Sequence, residues 1–173
     1  MSESMDSNHD TTPEWERLAR GAAGGERDVD LEPELQRELL TFQLDGTHYA
    51  IAVERVREII RLREITPMPR VPDCILGVVA LRGEIVQVLD LRERLGLASS
   101  EPTRRTRIIV LHGEDDRVTG IQVDAVRDVL RVAEQDVDAS GDNAGAAVAE
   151  LCRRDNDFVS IIDLDQVLDF NDG

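Results

Sequence analysis

Two aspartates, Asp90 and Asp163, and three histidines, His9, His48 and His112, are the side chains of this sequence best suited to moving protons. A carboxylate pair held across a reacting bond can serve as general acid and general base. Asp90 and Asp163, however, each close an apolar run and each precede a short helical pattern. They read better as N-caps, whose oxygens accept hydrogen bonds from the free amides of a first helical turn. The histidines are scattered, one in the N-terminal segment, one in a predicted strand and one at a strand end, and a strand histidine reads as a packing residue. Cys74 and Cys152 have neither the spacing of metal ligands nor that of a redox pair. All 20 basic residues are arginine, so no phosphate-loop lysine exists, and neither a Gly-x-Ser-x-Gly elbow nor a His-Glu-x-x-His helix occurs. These residues point to no catalysis, cofactor or metal. The reading that survives from the enzyme class is a ligand-binding barrel using Asp90, Arg82 and His48.

Arginine and apolar side chains in a repeated arrangement offer a different chemistry, that of gripping another protein. Ile51 to Leu62 aligns with Ile121 to Val132 with five identities in twelve positions, pairing Val56 with Val126 and Ile59 with Val129. Ile85 to Leu91 aligns with Phe158 to Leu164 in the same order, and the offset moves only from 70 to 73. Matched segments at nearly constant separation imply one supersecondary unit used twice. The groove between two such units is a natural place for a binding site. Gly77-Val78-Val79-Ala80-Leu81-Arg82-Gly83 adds glycines that permit close backbone approach and an arginine fork suited to carboxylate or carbonyl partners.

The elements that would position these residues are short. Leu39 to Leu44, Asp45-Gly46 and His48 to Val53 form a hairpin signal, because Asp-Gly supplies the positive φ values of a tight turn. Arg107 to Leu111, a polar turn at Gly113 to Asp116 and Val118 to Val123 repeat the pattern. The Val-x-x-Val segments read as a turn running into a strand. Leu81 to Leu91 and Phe158 to Leu164 read as strands, followed by short helices around 92–95 and 165–168. Strands of this length at such spacing predict a mainly β fold of two small antiparallel barrels related by duplication and sharing an interface. Residues 1–37 read as an acidic, disordered tail, and 38–173 as the folded domain, with one half at about 39–100 and the other at about 105–170. Within the tail, Thr11 to Gly21 could form a short helix, and Trp15 would then anchor a docking peptide.

Net charge is −16, and the first 38 residues hold 11 acids against 4 arginines. Unaided nucleic-acid binding needs a basic footprint, which this balance excludes. The amino terminus has no apolar core of a signal peptide, and the longest uncharged apolar run, Cys74 to Leu81, is far shorter than a membrane span. The expectation is a soluble cytoplasmic protein with reduced cysteines.

Taken together, Leu-x-Phe-x-Leu at Leu40 to Leu44, Val-x-x-Val-x-Glu-Ile at Val53 to Ile59, Ile-x-Gly-x-x-x-Leu-Arg-Gly at Ile75 to Gly83, Val-x-Asp-Leu-Arg at Val88 to Arg92 and Gly-Ile-x-Val-Asp-x-Val-x-Asp-Val-Leu at Gly120 to Leu130 resemble the chemotaxis coupling protein CheW family. The resemblance runs from Leu39 to Phe170. It implies two SH3-like five-stranded barrels around a shared core and a non-enzymatic adaptor, without cofactor or metal. The partners it implies are the regulatory domain of a CheA-type histidine kinase and the cytoplasmic tip of chemoreceptors, in receptor arrays where such domains join in rings. Carried over residue by residue, it places a receptor-binding groove on Val56, Glu58, Ile59, Gly77, Arg82, Val126 and Val129. A variant of this reading is an adaptor in a chemosensory pathway that controls something other than motility. One departure stands out, Ala80 where the family has asparagine.

Overall fold

The computed structural model describes residues 35–113, 117–141, 145 and 147–170, and the acidic segment, the helix proposed at Thr11 to Gly21 and Trp15 lie outside them. In chain order the elements are β1 (Gln36–Leu44), β2 (Thr47–Ala52), a 3-10 turn (Val53–Arg55), β3 (Val56–Arg61), β4 (Ile75–Leu81), β5 (Glu84–Asp90) and α1 (Leu91–Arg94). They continue with β6 (Arg107–Leu111), β7 (Val118–Val123), β8 (Ala125–Ala133), a 3-10 turn (Glu134–Asp136), β9 (Val137–Ala139), β10 (Val148–Arg154), β11 (Asp157–Ile162) and α2 (Leu164–Val167). Strand β1 begins at Gln36, two or more residues before the sequence patterning places it, because its first residues pair with the end of β8 (Gln36 with Ala133). That partner is 97 positions away and invisible to local periodicity. The strand read as Leu81 to Leu91 is broken by a two-residue turn, Arg82-Gly83, in which both residues have positive φ (51° and 83°). Such a turn matches the twist of the strands it joins.

Among the described residues, eleven strands make two sheets, in the orders β8-β1-β2-β11-β10-β9 and β3-β6-β7-β5-β4. The expected two-barrel β fold is therefore present, with six strands in one sheet and five in the other, and with one parallel pair in each. The sheets do not divide the chain at residues 100–105 as the sequence halves suggest. After β2 the chain crosses to the other sheet, where β3 pairs with β6, and after β7 it crosses back, where β8 pairs with β1. Each half of the sequence completes the sheet of the other.

Duplication is written into this geometry. The parallel contact Gln87 with Thr119 in one sheet corresponds to Ser160 with Tyr49 in the other. Register shifts occur at matching places, between Ile75 and Gly77 and between Val148 and Glu150. The pairing of Asp138 with Leu151 corresponds to a single bridge, Thr66 with Val78. Pro67, Pro69 and Pro72 follow that bridge, and proline has no N–H to extend a ladder, so the first copy keeps one bridge where the second has β9.

Period-two alternation then sorts the apolar residues into three cores. Ile60, Val79, Leu81, Val86, Val88, Ile108 and Val110 fill the five-stranded barrel. Leu39, Ala50, Val132, Cys152, Val159 and Ile161 fill the six-stranded one. Alternate residues of the same strands, among them Leu40, Phe42, Ile51, Leu89, Ile109, Leu111 and Ile162, form a third core between the sheets. Strands buried on both faces explain why so many runs are continuously apolar.

Candidate functional site

The site begins at the two edge strands, β3 and β8, which are the repeated Val-x-x-Val segments. Residues directly opposite each other on paired strands lie on the same face. Val56 faces Leu111 and Ile59 faces Ile109, while Val126 faces Phe42 and Val129 faces Leu40. All four partners belong to the core between the sheets. Val56, Ile59, Val126 and Val129 therefore lie on the faces that continue that core outward along the seam of the duplication. Val56 and Val126 are half-buried against it, whereas Ile59 and Val129 remain 41% and 52% exposed.

Glu58, Gly77 and Arg82 have a different location. Glu58 faces Val110, which points into the five-stranded barrel, so it sits on the opposite face of β3. Its Oε2 accepts a hydrogen bond from Arg82 Nη2 at 3.0 Å, and its Oε1 is buried without a hydrogen-bond partner. Arg57 and Glu84 add a pair at 2.7 Å. These contacts join β3 to the β4–β5 hairpin, at opposite ends of the sheet order, and so close the barrel. Gly77 takes part in the same closure: the Thr66 carbonyl lies 2.1 Å from where a Cβ would stand, and φ is 146°. Close backbone approach, more than ligand contact, accounts for that glycine. Arg82 itself is 72% exposed at the side chain, held in the left-handed region by the hairpin. The seven residues thus form an apolar seam of four and a barrel-closing group of three, linked through β3. Ala80 is exposed on β4, and its carbonyl accepts a hydrogen bond from Arg63 Nη1 at 3.3 Å.

Of the remaining candidates for chemistry, His9 lies outside the described residues. Asp90 Oδ1 accepts from the Arg92 amide at 3.0 Å, and Asp163 Oδ1 accepts from the amides of Asp165 and Gln166 at 3.1 and 3.3 Å, so both aspartates cap short helices as their spacing predicts. Asp90, Arg82 and His48 fall on a helix cap, a hairpin turn and a strand of the other sheet, and do not converge. Cys74 and Cys152 are buried in different cores, and burial pushes both thiols up. No described helix is long and apolar enough to cross a membrane.

Sequence reasoning missed the clamp that holds the seam's base. Arg92 is 8% exposed, and its Nε and Nη2 donate to the Asp124 carboxylate at 2.9 and 2.6 Å, while Nη1 donates to the Ala98 carbonyl at 2.7 Å. Asp124 Oδ2 also accepts from the Asp45 amide at 2.8 Å. Burial opposes the charge of Asp124, yet the Arg92 hydrogen bonds and the Asp45 amide together hold its carboxyl below the ordinary value. The clamp ties α1 to the β7–β8 crossover and to the β1–β2 turn. A signal was available in the repeat alignment, where Arg92 corresponds to Asp165. In the second copy Asp165 pairs with Arg55, the neighbour of Glu54, which is the repeat equivalent of Asp124, at 3.2 Å.

The exposed apolar edge of the two duplicated barrels is the surface best suited to holding another protein. Residues 38–171 match the model of the CheW-like domain family, and the chain belongs to that family. It is 35% identical over 135 residues to "Chemotaxis protein CheW" of Rhizobium meliloti (strain 1021), covering 76% of this chain and 86% of that protein. It is 34% identical over 135 residues to the protein of the same name from Bacillus subtilis (strain 168), with the same coverage. Among solved structures, the scaffolding protein TtCheW from Thermoanaerobacter tengcongensis superimposes with a TM-score of 0.74 at 26% identity, over 80% of this chain and 97% of that one. Chemotaxis scaffolding is thus the family role, and it involves no bond-making.

Proposed function

We propose that this chain couples chemoreceptors to a CheA-type histidine kinase. A helical hairpin from the cytoplasmic tip of a receptor lays its apolar face on Val56, Ile59, Val126 and Val129, a helix-in-groove arrangement. Glu58 and Arg82, braced by the close packing at Gly77, supply a polar edge that fixes register. The kinase's regulatory domain, itself of this family, docks on outer barrel faces and joins such domains in rings, in cytoplasmic arrays. Coupling is then geometric, since a scaffold that binds two receptor states unequally biases the kinase held beside it.

The observation that supports this reading is that Val56, Ile59 and their repeat equivalents Val126 and Val129 all face partners in the core between the sheets, with Ile59 and Val129 exposed at 41% and 52%. Val129→Asp tests it. A charge in a desolvated contact costs about 2 kcal/mol or more, which is about 30-fold in affinity. Capture of a receptor-tip fragment should be lost while circular dichroism stays native. Unchanged capture overturns the seam as the receptor site.

A further inference from the structure

We propose that the partner seated in the seam carries carboxylates beside its apolar stripe, and that Arg61, Arg104 and Arg107 receive them. This rests on the seam reading above and extends it to the chemistry of the partner. Arg61 lies directly opposite Arg107 in the β3–β6 register, one alternate position along from Ile59 and Ile109. The same face therefore changes from apolar to basic within about 7 Å. Arg107 Nη1 donates to the carbonyls of Arg104 and Thr106 at 2.8 and 2.9 Å. The turn that presents Arg104 is pinned by Thr103 and Thr106, whose hydroxyls accept from the amides of Arg105 and Thr103 at 3.1 and 2.8 Å. Arg61, Arg104 and Arg107 line one open depression with Leu62, Thr103 and Thr106, and no carboxylate lines it.

Charge makes this arrangement costly in isolation. Like charges directly opposite across a strand pair are destabilising, and the chain has 36 acids available to relieve its 20 arginines. Arg57, Arg92 and Arg154 are paired in this way, whereas Arg61, Arg104 and Arg107, like Arg63 and Arg127 elsewhere, make no ion pair among the described residues, and they differ from those in lining one depression together without a carboxylate. A locally unfavourable cluster on an otherwise acidic protein marks a place where the counter-charge comes from outside. Guanidinium forks fit carboxylates, and an open depression suits a segment of a larger molecule more than an enclosed small ligand. A nucleic acid or an anionic membrane would bring an extended polyanion against a chain of net charge −16, whereas a protein segment can confine a few carboxylates to the depression and leave apolar side chains for the seam beside it.

The test titrates the full chain and its Arg61→Glu and Arg104→Glu variants with a purified chemoreceptor tip fragment, at low and at high salt. Each reversal should weaken binding about tenfold at low salt and flatten the salt dependence, as expected for charges at an interface rim. Arg61→Glu should keep or raise the thermal midpoint, because it converts a like-charge pair into an opposite-charge one. Wild-type affinity and salt dependence in both variants overturn the proposal. If Val129→Asp abolishes capture while the reversals do not weaken it, the seam reading stands and this one fails. If the reversals weaken capture while Val129→Asp leaves it intact, the arginines hold an acidic partner outside the seam, and the joint placement fails. Concentration-dependent self-association lost in the reversals would make a second copy the occupant, also overturning it.

Discussion

Asp128 stands beside Val129 on β8 and shows how a polar residue can prepare an apolar contact. Its carboxylate accepts from Arg154 at 2.8 and 2.6 Å and from the Thr41 hydroxyl at 2.6 Å. Thr41 occupies the register shift between Leu40 and Phe42, where strand pairing is interrupted. Its hydroxyl also accepts from the Asp128 amide at 3.2 Å. Arg154, then Thr41, hold the Asp128 carboxyl down to about 2 from an ordinary 3.8. A carboxyl that titrates lower in the folded state stabilises it above the ordinary value, and that contribution is lost as pH falls from about 4 to about 2. Because the side chain is 48% exposed, solvent screening keeps the contribution below about 1 kcal/mol. Thermal midpoints of the wild-type chain and of Asp128→Asn, measured from pH 5 to pH 2, should therefore converge toward low pH. A gap that stays constant would show that the ion pair stabilises nothing.

At the scale of elements, the segment from β3 to β4 decides whether the five-stranded barrel closes. Thr66 and Val78 exchange two backbone hydrogen bonds of 2.9 Å, the only bridge this copy makes where the second has β9. Gly77→Ala would drive a methyl group into the Thr66 carbonyl and force an L residue into a φ it rarely adopts. Strain of that kind costs about 1–3 kcal/mol. The expected outcome is a lowered urea midpoint, with any loss of receptor capture following from the fold. Val129→Asp, by contrast, should leave the midpoint nearly unchanged, so the pair of variants separates a residue that builds the barrel from one proposed to touch a partner. A Gly77→Ala midpoint equal to wild type would show that the loop yields. The glycine was conspicuous in the sequence for its spacing, but the Thr66 backbone that demands it approaches from outside any local pattern.

The whole molecule is an exchange between the two halves of its sequence. Because β8 completes the sheet of β1 and β2 while β6 and β7 complete that of β3 to β5, neither half carries a complete sheet. Residues 35–100 and 105–170 expressed separately should each lack a native β spectrum, while co-expression should restore it. A native spectrum from either fragment alone would mean that the halves can pair internally. This interleaving also ties the two edge strands to both halves. Both edge strands are anchored to strands from the opposite half, the Arg92–Asp124 clamp spans the crossover, and Arg94 donates from α1 to the Val167, Gln166 and Asp169 carbonyls at the end of α2 at 2.8, 2.9 and 2.8 Å.

The sequence by itself determined the β1–β2 and β6–β7 hairpins, the duplication, the helix caps at Asp90 and Asp163 and the equivalence of Val56 with Val126 and Ile59 with Val129. All of these are local patterns or matches between local patterns, which are legible wherever side-chain alternation and turn chemistry dominate. Only the tertiary structure decided that the repeats exchange strands, that Glu58, Gly77 and Arg82 lie at the closure of a barrel while Val56, Ile59, Val126 and Val129 face partners in the core between the sheets, and that Arg61 lies opposite Arg107. Those facts depend on contacts between residues tens of positions apart, and the free energy that selects them comes from burying a shared core that neither repeat can form alone.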